Sequence, residues 1–208
     1  MSIDFLLSMF VFALVASITP GPNNLMLMAS GTNYGFIRTI PHMLGVGIGF
    51  TIMIILVGCG LMGLFESFPI TALILKIFSV VYLVYLAWKI ATATPKAING
   101  DGIDDTTEDD TTSRPFTFLQ AALFQWVNPK AWSMGVTAIS IYTPPERPFW
   151  SVFVVAGVFC MVNFPVVSGW TLLGTQIRKL LGDPLRMRIF NGTAALLLIG
   201  SLYPIVKA

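Results

Sequence analysis

The chain has 208 residues, of which 55% are apolar and 11% charged, with a formal net charge of +2. A soluble domain is about 25% charged, so water is not the main solvent here, and so small a net charge points to no nucleic-acid partner. Each bilayer crossing takes about 20 apolar residues, so the expectation is an all-α integral membrane protein of about six spans, with no room for a soluble catalytic domain.

The first apolar run extends from Ile3 to about Ser30. It has no Lys or Arg before Arg38, and its first charge is Asp4. A signal peptide needs a basic start, so this run reads as a retained first helix. It is interrupted by Thr19-Pro20-Gly21-Pro22-Asn23-Asn24. The second helix is expected over Pro41 to Phe65 and the third over Pro69 to Ala91. The polar stretch from Thr94 to Arg114 follows. Its core, Asp101 to Asp110, holds six acids and one aliphatic residue, too little apolar surface to offset the entropy of ordering it. A solvated, disordered loop is expected there. The fourth helix runs from Pro115 to Tyr142, interrupted at Asn128-Pro129-Lys130. The fifth covers Pro148 to Gly174 and the sixth Ile189 to Val206.

These runs form one transporter domain of two three-helix halves, 1–92 and 115–208, joined by the acidic segment 93–114. Ile18-Thr19-Pro20 and Val127-Asn128-Pro129 lie 109 positions apart, and Pro41 and Pro148 lie 107 apart. Three spans per half send the second half into the membrane from the opposite side, the arrangement of a 3+3 inverted repeat. The ends after helices 1, 3 and 5 carry Arg38, Lys89, Lys96, Arg114, Arg178, Lys179, Arg186 and Arg188, against Arg147 and Lys207 on the other side. Positive charge marks the cytoplasmic face, so both termini are expected outside.

The two interruptions hold the candidate site. Pro20 and Pro22 lack an N–H and Gly21 is free to leave helical geometry, so the first helix must break. A helix restarting at Pro22 places Asn23 and Asn24 at an N-terminus, where free N–H groups favour an anion; a plain structural kink is the alternative. At the second break Asn128 is suited to cap and Pro129 to open a new helix. Lys130 follows, deep in the fourth helix. An ammonium near the bilayer centre costs about 3 kcal/mol on insertion scales and marks a functional position, snorkelling or a carbonyl partner being the other readings. Together the two helix ends and the lysine suit a carboxylate. Lys76, two turns into the third helix, is within snorkelling reach of the interface. Trp126 and Trp132 flank the second break and either line a cavity or pack. His42 reads as structural before proton relay, and Gly45, Gly47 and Gly49 as close helix packing.

Thr19-Pro20-Gly21-Pro22-Asn23-Asn24, Leu75-Lys76, Tyr82-Leu83-Val84-Tyr85-Leu86-Ala87-Trp88-Lys89, Gln125-Trp126-Val127-Asn128-Pro129-Lys130-Ala131 and Asn191-Gly192 resemble the LysE/RhtB family of bacterial amino-acid exporters. Leu86 to Thr92 and Gly135 to Ser140 resemble in particular the members that export cysteine and O-acetylserine. The resemblance covers nearly the whole chain. It implies secondary active efflux of a small amino acid across the bacterial inner membrane, driven by protons, and it adds Lys76 and Gln125 to the substrate-binding candidates. Every acid lies at a helix end or in a loop, so the proton carrier is not identified, and a homo-oligomer stays open. No cofactor or metal is implied. The rival reading is a thiol–disulfide electron carrier using Cys59 and Cys160, although neither adjoins a group that would lower its pKa.

Overall fold

The computed structural model describes residues 2–61, 67–93, 114–144, 148–181 and 183–203. Among them every regular element is a helix. In chain order these are α1 (Ile3–Ile18), α2 (Pro22–Tyr34), α3 (Phe36–Leu56), α4 (Pro69–Ala91), α5 (Phe118–Val127), α6 (Pro129–Tyr142), α7 (Pro148–Leu180) and α8 (Pro184–Gly200). The acidic stretch 94–113 lies outside the described residues, as do Arg147, Lys207 and the expected ends of the second and sixth helices.

Both interruptions are present: α1 and α2 meet at 57°, and α5 gives way to α6 at Asn128. Other boundaries move. The second helix begins at Phe36, five residues before Pro41, which sits inside α3. It runs on into a π-type turn over Val57–Leu61, where Gly60 takes a φ of 104° that favours glycine. The fourth helix starts at Phe118 instead of Pro115. Thr117 Oγ1 accepts from Gln120 N at 3.2 Å while Gln120 Oε1 accepts from Thr117 N at 3.1 Å, a capping box that settles the start. The fifth helix runs past Gly174 to Leu180, and the sixth begins at Pro184, capped by Asp183. Charges near helix ends read as loop in sequence, yet Arg178 and Lys179 are helical and complement the negative end of the α7 dipole.

Three helices are long and apolar enough to cross a bilayer, Phe36–Leu61, Leu73–Ala91 and Phe149–Leu180, and α1 with α2 makes a fourth if the bent pair is one span. Large apolar side chains cover much of the outer surface, while several polar ones are buried among the apolar core. Leu7, Val11, Val15, Ile74, Ile77, Phe78 and Val81 are exposed, whereas Asn24, Asn33, His42, Gln125, Asn128 and Asn191 are buried. So much exposed apolar surface suits a lipid surround. Glycines bring the long helices together, as small residues do where lipid removes the hydrophobic drive. A Cβ on Gly49 would meet Ala122 Cα at 2.6 Å, and one on Gly45 would strike the Phe118 carbonyl. Gly31 and Gly174 do the same between α2 and α7. Gly47 lies against the Phe164 ring, so all three glycines of α3 act in packing.

Candidate functional site

Each helix break leaves carbonyls without their usual amide, and such groups must find partners within the protein. At the first break Asn24 answers this need: its side-chain amide donates to Ser17 O and Thr19 O, both at 2.9 Å. Gly21 is extended, and no side chain caps α2. The amides of its first turn, at Asn23 and Asn24, therefore keep the anion-favouring character of a bare N-terminus. The second break is closed differently. Asn128 Oδ1 accepts from Lys130 N at 3.1 Å, and the Trp132 indole donates to the Trp126 carbonyl at 2.8 Å. Of the two restarts, then, only α2 offers an uncapped end.

The breaks face each other across a small cavity, lined by Ser17, Gly21, Asn23 and Asn24 of the first break, Asn128, Lys130 and Met134 of the second, and Val46, Phe50 and Asn163 from α3 and α7. Asn23 and Gln125 bridge the two halves reciprocally, at 2.8 and 3.1 Å, and Gln125 also donates to Ala121 O at 2.9 Å. The half-buried Lys130 side chain crosses over Gly21, and its ammonium donates to the Thr19 carbonyl. A Cβ on Gly21 would stand 2.6 Å from Lys130 Cδ, so glycine is what admits the lysine. The arrangement thus gathers an ammonium, an uncapped helix end and a carbonyl within one small cavity.

Of the sequence candidates, Thr19, Gly21, Asn23, Asn24, Gln125, Asn128 and Lys130 lie together around the two breaks; Pro20, Pro22 and Pro129 shape the breaks. Two candidates stand apart. Trp126 packs edge-on against Trp132, with ring centroids 6.2 Å apart, within the apolar cluster of α1, α3, α6 and α7. Lys76 does not line the cavity. His42 is fully buried, with its ring 5.1 Å from that of Phe116 and neither nitrogen hydrogen-bonded. Sequence reasoning missed Asn163. It is 7% exposed, lines the cavity, and has no hydrogen-bond partner among the described residues. Its only sequence signal is a lone amide in an apolar run, two residues before Pro165.

The chain matches the family described as LysE type translocator over residues 14–201. It is 32% identical over 196 residues to proteins named cysteine/O-acetylserine efflux protein from Escherichia coli O139:H28 and O157:H7, covering 93% of this chain and 94% of each relative. The protein of that name from Escherichia coli strain K12 is 31% identical over 177 residues, 84% of this chain and 85% of the relative. No solved structure matches.

Proposed function

We propose, from the premise that this chain belongs to the LysE type translocator family, that it exports a small neutral amino acid of the cysteine or O-acetylserine kind across the bacterial inner membrane. The names of its relatives supply the substrate class and the outward direction. The fold reading is six spans as a 3+3 inverted repeat, with α1–α2 and α5–α6 as the broken helices and both termini outside. The glycine-mediated contacts support it, because the first helix meets the fifth and the second meets the fourth, as a two-fold relation requires.

The observation that carries the binding mode is the Lys130 ammonium on the Thr19 carbonyl, across both breaks. A zwitterionic amino acid needs an anion site and a cation site a few ångströms apart. The Thr19 carbonyl already holds an ammonium, that of Lys130. The amides at Asn23 and Asn24 supply the anion site. On binding, the substrate ammonium takes over Thr19 O, and Lys130 turns to the substrate carboxylate. Asn23 and Gln125 tie the halves at the level of the site, and rocking of one half on the other gives alternating access, with protons as the driving ion.

Excretion of O-acetylserine and cysteine from a host expressing Lys130→Met and Asn23→Ala tests this. Both variants should reach the membrane, with transport lowered about tenfold or more, the worth of a charge-assisted contact. Wild-type rates in both would remove the site. The redox rival has no support in the cavity, since neither Cys59 nor Cys160 lines it. A cysteine-free variant should keep full transport.

A further inference from the structure

A second, small cavity lies along α2, mostly apolar in its walls (Met26, Ala29, Ile90) but with polar and charged groups at one side. It is lined by Ser30 and Asn33 of α2, Lys89 and Ala93 at the end of α4, and Arg114 and Phe116 ahead of α5. Among the described residues its charge is of one sign. Lys89 is only 9% exposed, and its ammonium has the Gln120 Oε1 atom at 3.5 Å and the Phe116 ring centroid at 4.6 Å. That oxygen is already engaged by Thr117 N at 3.1 Å. Neither Lys89 nor Arg114 has a carboxylate partner among the described residues.

A cation in a helix's last turn ordinarily reaches water or its own helix's carbonyls. Lys89 turns inward instead, toward α5, and a buried ammonium held by one shared neutral oxygen and a ring is under-compensated. An exposed guanidinium on the same cavity adds a planar fork that matches two oxygens at once. We infer that this cavity binds a carboxylate, and that it is a first resting site for the transported amino acid on the face bearing Lys89 and Arg114. This rests on the export reading above. A lipid phosphate has similar chemistry, but α2 favours the solute. One cavity takes Asn23 and Asn24 in the first turn of α2 and the other takes Met26, Ala29, Ser30 and Asn33 further along it, so the two succeed each other on one helix.

The test is O-acetylserine exchange in vesicles of both orientations, reconstituted in phosphatidylcholine, for wild type, Lys89→Gln, Arg114→Gln and Lys89→Arg. Lys89→Gln and Arg114→Gln should raise KM about tenfold when substrate is offered on the face that carries them. KM on the opposite face and Vmax should stay within about twofold, and Lys89→Arg should behave as wild type. The opposite-face kinetics report folding. An unchanged KM, or an equal rise on both faces, overturns the inference and leaves the central site standing. A defect that appears only when phosphatidylglycerol is added assigns the cavity to a lipid headgroup and overturns it too. Absence of exchange by the wild type would overturn the export reading itself.

Discussion

Lys130 reaches the Thr19 carbonyl because nothing projects from Gly21. The φ of Gly21 is −168°, extended backbone that any residue adopts, so the glycine serves space and not conformation. Gly21→Ala should therefore leave the melting temperature within a few degrees of wild type while transport falls about tenfold, because the methyl displaces the lysine stem. A parallel loss of stability would show that the glycine is needed for the break itself. Asn24 has the opposite profile. Its side chain holds two carbonyls freed by the break; Thr19 O keeps Lys130 as a donor, but the buried Ser17 carbonyl would be stranded, at about 1–3 kcal/mol. Asn24→Ala should lower stability by that order in thermal unfolding, and Asn24→Asp, which cannot donate, should not restore it. Asn163 is buried, lines the cavity and has no hydrogen-bond partner among the described residues, and a site that reads a substrate hydroxyl or ester discriminates through such a group. Asn163→Ala should change the ratio of cysteine to O-acetylserine export more than it changes total flux. Equal losses for both solutes would deny it a part in selectivity.

At the scale of the helix, the breaks were the most legible feature of the sequence. Proline removes an amide, and the asparagine beside it caps the restart at the second break and holds freed carbonyls at the first, so the chemistry that interrupts the helix is written in adjacent residues. Thr117 and Gln120 carried a start signal as well, Thr-x-x-Gln, which Pro115 obscured. The ends of α3 and α7 were not legible, because Arg38, Arg178 and Lys179 look like loop residues until the helices carrying them are seen to continue. The meeting of Lys130 with Thr19, and the arrival of Asn163 from α7, are products of tertiary packing, and no local pattern encodes them. Nor could position alone separate Trp126, which packs, from Gln125, which bridges the halves. The glycines of α3 were legible as packing residues, although their partners were not. Gly49 faces Ala122 backbone that cannot yield, so Gly49→Leu should separate α3 from α5 and cost several kcal/mol, at or beyond the upper end for overpacking. Gly157, with open space where its Cβ would lie, is the matched control. Gly157→Ala should be neutral or slightly stabilising, as a glycine removed from a helix interior is.

For the whole molecule, the distribution of cations makes a claim about orientation that the packing sharpens. Seven of the eight Lys and Arg residues assigned to one face lie within the described residues: Arg38, Lys89, Arg114, Arg178, Lys179, Arg186 and Arg188. Each stands where a helix ends or begins, at the start of α3, the end of α4, ahead of α5, the end of α7 and the start of α8. The same face holds buried polar contacts between elements distant in sequence. Asn33 and Asn191 exchange amide hydrogen bonds at 2.7 and 2.9 Å, and Asn191 also donates to Ala93 O at 3.1 Å. Moving one positive charge across the membrane against the potential costs about 2.3 kcal/mol per 100 mV, which supports the proposed orientation with this face in the cytoplasm. Exposed positions at the two ends permit a direct reading. In a background lacking Cys59 and Cys160, a cysteine at Ser2 should react with a membrane-impermeant maleimide added to intact cells, whereas one at Ile37 or Leu185 should react only after the membrane is opened. The reverse labelling would place the cationic face outside. It would then turn the cavity at Lys89 and Arg114 toward the wrong compartment for a substrate that starts in the cytoplasm.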